Sequence, residues 1–337
     1  MEIGILTFGF GDLSDWQEQL YRKYGFDPKN PDEGQTRYAD WNNISGDSEE
    51  AFSLAREFRE LGHEAFVAHY ESVVQASLDA DLIISLGIGG VIDEYQAFDD
   101  TDAIYWWWVL GGYQDNPGDL DFAETHLYGS NFDGIITNSR VKVPELREHL
   151  PARHIHIGCD TDKISPGPGK TDYECDITYL GLGNYKRQKQ YDMLFEPATE
   201  YEFRIYGANW EDSKYASYHY GILPRGDISA LYNSATVVLG LHHDYIELGM
   251  VNGRVFRVLG TNSIYVDQYH EHLDAEVGKY VNLVESKSEM ADLLTDIFEN
   301  PTPYQQRAQT GGTHVRRNHS YEQKCKEILD FYTEEVA

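Results

Sequence analysis

Three cationic side chains follow a glycine pair in the second half of the chain, in a stretch that reads ITYLGLGNYKRQKQYDML. An apolar strand is expected to end at Gly181-x-Gly183, and a helix is expected to begin with Lys186, Arg187 and Lys189. Glycine lets the backbone approach an anion, and a helix start supplies N–H groups and positive potential. Cations at this end oppose the helix dipole, so an anionic ligand explains them better than an ordinary basic helix start. The pattern predicts a diphosphate-binding site.

Further polar groups follow the next expected strands. One strand ends at Tyr206, a loop at 221–224 precedes a helix, and the following buried strand carries His242 at its tip. A later helix has Asn252 and Arg254 in its first turn. Ligands of open parallel sheets bind at the carboxyl ends of the strands, where all of these residues are expected to lie.

In this order, the motifs resemble the C-terminal half of group 1 glycosyltransferases of the GT-B fold, and most closely the spore-maturation-protein-B-like branch. The motifs are the glycine loop with Arg187, IYG-x-x-W, G-x-x-P before D-I-x-x-L-Y-x-x-A, a strand ending in His, and N-x-R-x-F. The segment ITNSR…LREHLP…IHIGCDTDKISP is similar to the end of the N-terminal domain of that fold. The resemblance covers about residues 130–335, and residues 1–130 match only as a generic Rossmann half.

The resemblance implies an enzyme that moves a hexosyl or pentosyl group from a nucleoside-diphosphate sugar, with Arg and Lys rather than a metal or cofactor stabilising the leaving group. The residues assigned to the diphosphate and sugar are Gly183, Lys186, Arg187, Lys189, His242, Asn252 and Arg254. Those assigned to the nucleobase and ribose are Tyr206, Ile222, Leu223 and Arg257. The family usually has Glu, which binds the ribose, at the position of Arg257, so this chain departs from the pattern there.

A catalytic base or an acceptor-orienting group is expected from the first half of the chain. Asp12 follows Gly9-Phe10-Gly11 at the exit of the first strand, Asp93 follows a second glycine-rich exit, and His126 lies in a later loop. Each is a candidate because a strand exit can present it to a ligand, although such residues are commonly surface groups or helix caps. The polar, aromatic-rich segment 12–46 is interpreted as an insertion over the cleft.

The chain is strongly acidic. Its 337 residues include 57 Asp and Glu against 27 Lys and Arg, a formal net charge of −30. No Lys or Arg lies between Arg59 and Arg140. Such a surface repels phosphate backbones and anionic lipid, so non-specific nucleic-acid binding is not expected. The acceptor stays open among a glycan, a lipid, a protein and a modified nucleobase.

Apolar, β-branched runs alternate with amphipathic stretches along the chain. This alternation is typical of parallel sheets with crossover helices, which would position these residues. Strands are expected at 2–8, 64–68, 81–86, 103–109, 134–138, 153–157, 176–181, 201–206, 235–241, 262–266 and 280–284. Helices are expected at 48–61, 185–195, 226–234, 251–259, 286–298, 301–317 and 319–335.

The predicted fold class is α/β, with two Rossmann-like domains facing across a cleft and C-terminal helices that cross back. The predicted divisions are an N-terminal acceptor domain at 1–158, a Pro- and Gly-rich linker at 159–175, a donor domain at 176–318 and a closing helix at 319–337.

A cytoplasmic protein without a membrane span is expected. No apolar run has the roughly 20 residues that a membrane helix needs, the first residues lack a basic signal-peptide region, and the three cysteines are far apart. Two alternatives share the architecture: a two-lobed small-molecule binding protein and a nucleotide-sugar epimerase.

Overall fold

Two parallel β-sheets organise the chain, and each lies in one of two compact units. The computed structural model describes residues 1–7, 46–69, 80–87, 102–107, 132–184, 187–242, 246–247 and 249–336. Unit 1 comprises Met1–Gly158, Leu248–Met250 and Tyr321–Ala337, and unit 2 comprises Cys159–Glu247 and Val251–Ser320.

The sheet of unit 1 has six strands in the order β2-β1-β3-β4-β5-β6, and all of its neighbours are parallel. The strands are β1 Glu2–Thr7, β2 Glu64–His69, β3 Leu82–Gly87, β4 Asp102–Trp107, β5 Gly134–Thr137 and β6 Ala152–His154. Two helices of this unit are α1 Gly46–Glu60 and α2 Val143–Leu146. Helix α1 buries an apolar face that includes Leu54 and Phe58 against β1 and β2, as its helical spacing predicts.

A helix from the end of the chain completes the core of unit 1. This helix, α9 Tyr321–Phe331, buries Cys325, Ile328 and Phe331 in the same apolar cluster as α1 and β1. The turn that follows it is held by Arg153, whose Nη2 lies 2.8 Å from a Glu334 carboxylate oxygen and 2.6 Å from one of Glu335. The expected return of the C-terminal segment to the first half of the chain is therefore present.

Unit 2 contains a five-stranded parallel sheet in the order β11-β10-β9-β7-β8. Its strands are β7 Cys175–Leu180, β8 Phe203–Tyr206, β9 Ala235–Leu239, β10 Ile264–Gln268 and β11 Asn282–Val284. Its helices are α3 Gln188–Ala198, α4 Ile228–Ser234, α5 Gly253–Gly260, α6 Glu271–Val277, α7 Lys287–Glu299 and α8 Pro301–Asn318. Because β8 and β9 lie on opposite sides of β7, the winding reverses between β7 and β9.

An aromatic cluster packs one face of the sheet in unit 2. Tyr179 of β7, Tyr191 and Phe195 of α3, and Trp210 after β8 are all buried, with ring centroids 4.9–6.3 Å apart. The contacts are mostly tilted or edge-on, the geometry that aromatic quadrupoles favour. This cluster fixes α3 against the carboxyl end of β7.

The eleven strands expected from the sequence are confirmed, with ends that differ from the expected ones by at most three residues. Helix α3 begins later than expected, at Gln188, so Arg187 occupies its N-cap position. Helices α2 and α6 were not expected, because each is short and α6 buries only Leu273 and Val277. In the described part of the chain, no helix is both long and apolar enough to cross a bilayer.

Candidate functional site

The predicted diphosphate site lies where the winding of the sheet in unit 2 reverses. Residues 181–184 leave the carboxyl end of β7, and residues 240–242 leave the carboxyl end of the neighbouring β9. Two diverging connections at such a point leave a crevice at the edge of the sheet, which is the usual ligand position in open parallel sheets.

Glycines let the turn after β7 pack directly on the turn after β8. The Gly181 N–H donates to the Tyr206 carbonyl over 2.9 Å, and the Gly183 N–H donates to the Ala208 carbonyl over 2.9 Å. A Cβ atom on Gly183 would lie only 2.1 Å from the Asn209 carbonyl oxygen. Gly183 is therefore required by close backbone packing in unit 2, in addition to any role toward a ligand.

The Tyr191 hydroxyl attaches the same turn to helix α3. It donates to the Leu182 carbonyl over 3.1 Å and accepts from the Asn184 N–H over 3.2 Å. Burial raises the pKa of Tyr191, so it keeps its proton and its donor role at neutral pH. The Tyr191 hydroxyl therefore fixes the position of the glycine turn relative to helix α3.

Arg187 places a largely buried cationic side chain at the start of α3. The residue is 9% exposed, and its backbone N–H donates to the Asn184 carbonyl over 3.0 Å. Among the residues that the structure describes, none accepts a hydrogen bond from its side chain. A buried cation without an acceptor is costly, and a bound anion would relieve that cost.

Arg254 brings a second guanidinium from helix α5 to the glycine turn. Its Nη1 donates to the Leu241 carbonyl over 3.0 Å, and its Cζ lies 5.0 Å from the centre of the Tyr179 ring. A Cβ atom on Gly181 would lie 2.9 Å from Nη2. Burial opposes the charge, but the phenol oxygen of Tyr179 and other nearby oxygens outweigh it and raise the pKa of Arg254. The residue thus links the exits of β7 and β9 as a fixed positive charge.

His242 lies beside a buried carboxylate that the sequence analysis did not identify. Its Nδ1 is 2.8 Å from Oδ2 of Asp267, a residue with 0% exposure at the end of β10. The Tyr265 hydroxyl donates to the same oxygen over 2.6 Å, and the Gln268 N–H donates to Oδ1 over 2.7 Å. The only signal in the sequence is an acidic residue directly after an apolar strand, which many surface carboxylates share.

Asn252, which was assigned to the donor, caps helix α5. Its Oδ1 accepts from the Arg254 N–H over 3.0 Å, and its Nδ2 donates to the Leu241 carbonyl over 3.4 Å. These two bonds tie the start of α5 to the exit of β9. The side chain therefore has a structural role that helps to place Arg254.

The residues assigned to the nucleobase and ribose differ in exposure. Tyr206 is buried, with its ring edge-on to that of Tyr173 at 5.9 Å, and Leu223 is buried in the same apolar cluster. Ile222 is 64% exposed, and Arg257 is half-buried on α5. Among these four residues, the exposed apolar surface is that of Ile222.

The remaining predicted site residues are one exposed lysine and four residues that the structure does not describe. Lys189 is exposed on α3. Lys186 and the three catalytic candidates Asp12, Asp93 and His126 lie outside the described residues, as does nearly all of the expected insertion 12–46. Within the described ranges, no group of three or more His, Cys, Asp or Glu side chains could hold a metal ion.

The second half of the chain is similar to a known protein family. Residues 187–330 match a family model described as glycosyl transferase-like. No match was found among the curated protein sequences.

Several solved structures resemble the whole chain in fold. Sucrose-phosphate synthase from Thermosynechococcus elongatus superposes with a TM-score of 0.65 at 11% identity, covering 99% of this chain and 98% of that one. Anabaena HepE, in complex with UDP and glucose, gives 0.63 at 12% identity over 99% and 100% of the two chains. An alpha-glucosyltransferase in complex with UDP and a DNA 13-mer containing an HMU base gives 0.62 at 11%, over 99% and 100%. The chain thus has the GT-B fold of two Rossmann-like domains, and residues 187–330 are similar to a glycosyl transferase-like family.

Proposed function

We propose that this protein is a glycosyltransferase that transfers a sugar from a nucleoside-diphosphate sugar. The observation that carries the proposal is the position of Arg187 at the start of α3. The residue is 9% exposed, and no described side chain or carbonyl accepts a hydrogen bond from its guanidinium. It lies next to a glycine turn at the reversal point of the sheet, in a domain that matches a glycosyl transferase-like family. The motif order also supports the narrower assignment to the spore-maturation-protein-B-like branch.

The proposed chemistry follows from where charge develops. When the bond between the anomeric carbon and the diphosphate oxygen breaks, the sugar becomes oxocarbenium-like and negative charge accumulates on the leaving diphosphate. Arg187 and Arg254 would stabilise that charge through donors that are already fixed in place, which favours the transition state over the ground state. The Leu241 carbonyl and the Tyr179 ring hold Arg254 for this task.

UDP is the first nucleotide to test, because HepE and the alpha-glucosyltransferase are both described in complex with it. By the same comparison, a hexosyl group such as glucose is the first sugar to test. We propose that the base packs on the exposed side chain of Ile222 in the loop after β8. The half-buried Arg257 would lie on the ribose side of the site.

The acceptor is proposed from charge alone. A formal charge of −30 repels a polyphosphate backbone, so an acceptor without such a backbone is favoured over duplex DNA. The alpha-glucosyltransferase neighbour, which binds a DNA 13-mer, shows that the fold itself does not impose this choice.

Nucleotide binding by the wild-type protein and an arginine variant tests the proposal. UDP, GDP, ADP and TDP are titrated by calorimetry against the wild type, Arg187→Gln and the control Arg317→Gln, which changes an exposed arginine on α8. We expect Arg187→Gln to weaken nucleoside-diphosphate binding about 10- to 100-fold, because charged hydrogen bonds to the phosphates are lost. Arg317→Gln should bind like the wild type. Equal affinities for both variants, or no binding of any nucleotide, would overturn the proposal.

Turnover separates the proposed enzyme from its alternatives. Release of nucleoside diphosphate from a sugar nucleotide, with a glycosylated product, is expected of a transferase. An epimerase would instead change the sugar nucleotide without any acceptor, and a binding protein would leave it unchanged.

A further inference from the structure

A histidine with one ring nitrogen held and the other free lies at the exit of β9. His242 is 8% exposed, and its Nδ1 contacts the Asp267 carboxylate. Its Nε2 is buried and has no hydrogen-bond partner among the described residues. Buried imidazole nitrogens are normally satisfied, so an orphaned one needs an explanation.

The contacts of Asp267 determine which nitrogen of His242 carries the proton. The Tyr265 hydroxyl and the Gln268 N–H both donate to the carboxylate, which as an anion can only accept. The third contact, at His242 Nδ1, must therefore also be a donor. In the neutral ring, Nε2 then holds a lone pair and can only accept a hydrogen bond.

From this arrangement we propose that Asp267 is a positioning residue that holds His242 with Nε2 ready to accept a hydrogen bond from a hydroxyl group of the donor sugar. The inference rests on the proposed glycosyltransferase function and deepens it. It specifies that His242 binds a hydroxyl group of the donor sugar, and that Asp267 determines which ring nitrogen of His242 can accept that hydrogen bond.

The hydrogen-bonding capacity of Nε2 distinguishes the sugar from the diphosphate. An ionised diphosphate offers only acceptor oxygens, which suit Arg187 and Arg254 but not an unprotonated nitrogen. A sugar hydroxyl can donate. His242 directly follows Leu241, whose carbonyl holds the Arg254 guanidinium, so the acceptor nitrogen and the proposed phosphate-binding cation share one strand exit.

Tight packing keeps the pair in this geometry. A Cβ atom on Gly240 would lie 1.8 Å from the Tyr265 hydroxyl and 2.5 Å from Asp267 Oδ2, so only glycine fits there. The site is also shielded from solvent, which strengthens any hydrogen bond that a ligand makes to it.

The variant Asp267→Asn should invert the role of Nε2. The Gln268 N–H keeps the amide oxygen on its side, so the amide NH₂ replaces Oδ2 and faces His242 Nδ1. Nδ1 must then accept, and the proton moves to Nε2. Tyr265→Phe is the matched control, because it removes one donor to Oδ2 but leaves the carboxylate facing Nδ1.

Two measurements test the inference. Nitrogen-15 NMR of imidazole-labelled protein should show a protonated Nδ1 at His242 in the wild type and in Tyr265→Phe, and a protonated Nε2 in Asp267→Asn. Calorimetry should show that UDP-glucose gains affinity over UDP in the wild type. That gain should fall about tenfold in Asp267→Asn and His242→Phe, with UDP affinity itself changed less than twofold.

The outcomes separate this inference from the proposed function. If the wild type binds UDP but the variants lose UDP and UDP-glucose affinity equally, His242 acts on the phosphates and the inference is wrong. A wild-type proton on Nε2 also overturns it, and this measurement needs no variant to fold. If the wild type binds no nucleoside diphosphate at all, the proposed function fails and the inference fails with it.

Discussion

At the scale of single residues, Gly183 meets two requirements for glycine that the sequence alone does not distinguish. It follows the expected pattern of a phosphate-binding turn, and it also fills a position where a side chain has no room beside the Asn209 carbonyl. The lack of room for a side chain is by itself enough to require glycine at this position. A substitution here therefore tests packing before it tests binding.

We expect Gly183→Ala to destabilise the protein by about 1–3 kcal/mol, because the added methyl group forces the turns after β7 and β8 apart. Urea unfolding of the variant against the wild type measures this. The matched control is Gly226→Ala, where an added Cβ meets no atom within 4 Å. The control should stay within about 0.5 kcal/mol of the wild type. Equal unfolding free energies for the two variants would contradict the packing role.

Residue types and spacing indicated Arg187 and Arg254 but not Asp267. Cations next to a glycine turn are unusual in so acidic a chain, and that contrast is visible in the sequence. The contact of Asp267 with His242 depends instead on the register of two strands, in which Val266 pairs with Leu239. A residue 25 positions away in the chain becomes a neighbour only through that register, and no local pattern encodes it.

At the scale of elements, helix α5 connects the site to the sheet. Its eight residues bury Val255, Phe256 and Leu259, and its N-terminal turn carries Arg254. The cap by Asn252 satisfies a backbone N–H that the helix cannot satisfy itself. The placement of the guanidinium thus depends on how this helix begins.

Asn252→Ala should lower the free energy of unfolding by about 1 kcal/mol, since the cap is lost. Asn252→Ser keeps an oxygen that can accept from the same N–H, and we expect it to retain most of the stability. Chemical denaturation of the two variants side by side gives the comparison. Should alanine and serine prove equally destabilising, the capping bond would not be the cause.

The elements themselves were largely predictable, for a physical reason. Strands of a parallel sheet are covered on both faces, so they appear in the sequence as short apolar runs such as IIT in β5 and TVVL in β9. Helix α6 was missed because four of its seven residues are His, Asp or Glu, which leaves few apolar positions to show a helical period. The start of α3 was misplaced by three residues, because its first turn carries polar side chains that also suit a loop.

At the scale of the whole molecule, the charge of −30 affects stability as well as partner choice. Acidic side chains repel one another in the folded state more than in the extended unfolded chain. Raising the salt concentration from 0.1 to 1 M shortens the screening length from about 10 to about 3 Å.

We therefore expect the thermal unfolding midpoint to rise by about 5 °C or more between 0.1 and 1 M sodium chloride. Scanning calorimetry measures the midpoint, and potassium chloride at equal ionic strength serves as the control for ion-specific effects. The two salts should act alike if screening is the cause. A midpoint that falls or stays constant would show that the acidic surface does not limit stability.

Helix α9 has a consequence for how the protein is made. Residues 159–320 supply nearly all of unit 2, whereas the core of unit 1 needs α9, which the ribosome synthesises after them. The second half of the chain can therefore acquire its structure while the first half is still waiting for Cys325, Ile328 and Phe331 to emerge. The apolar surface of α1 that these residues cover stays open until α9 is made, and a truncation before Cys325 would leave it open permanently.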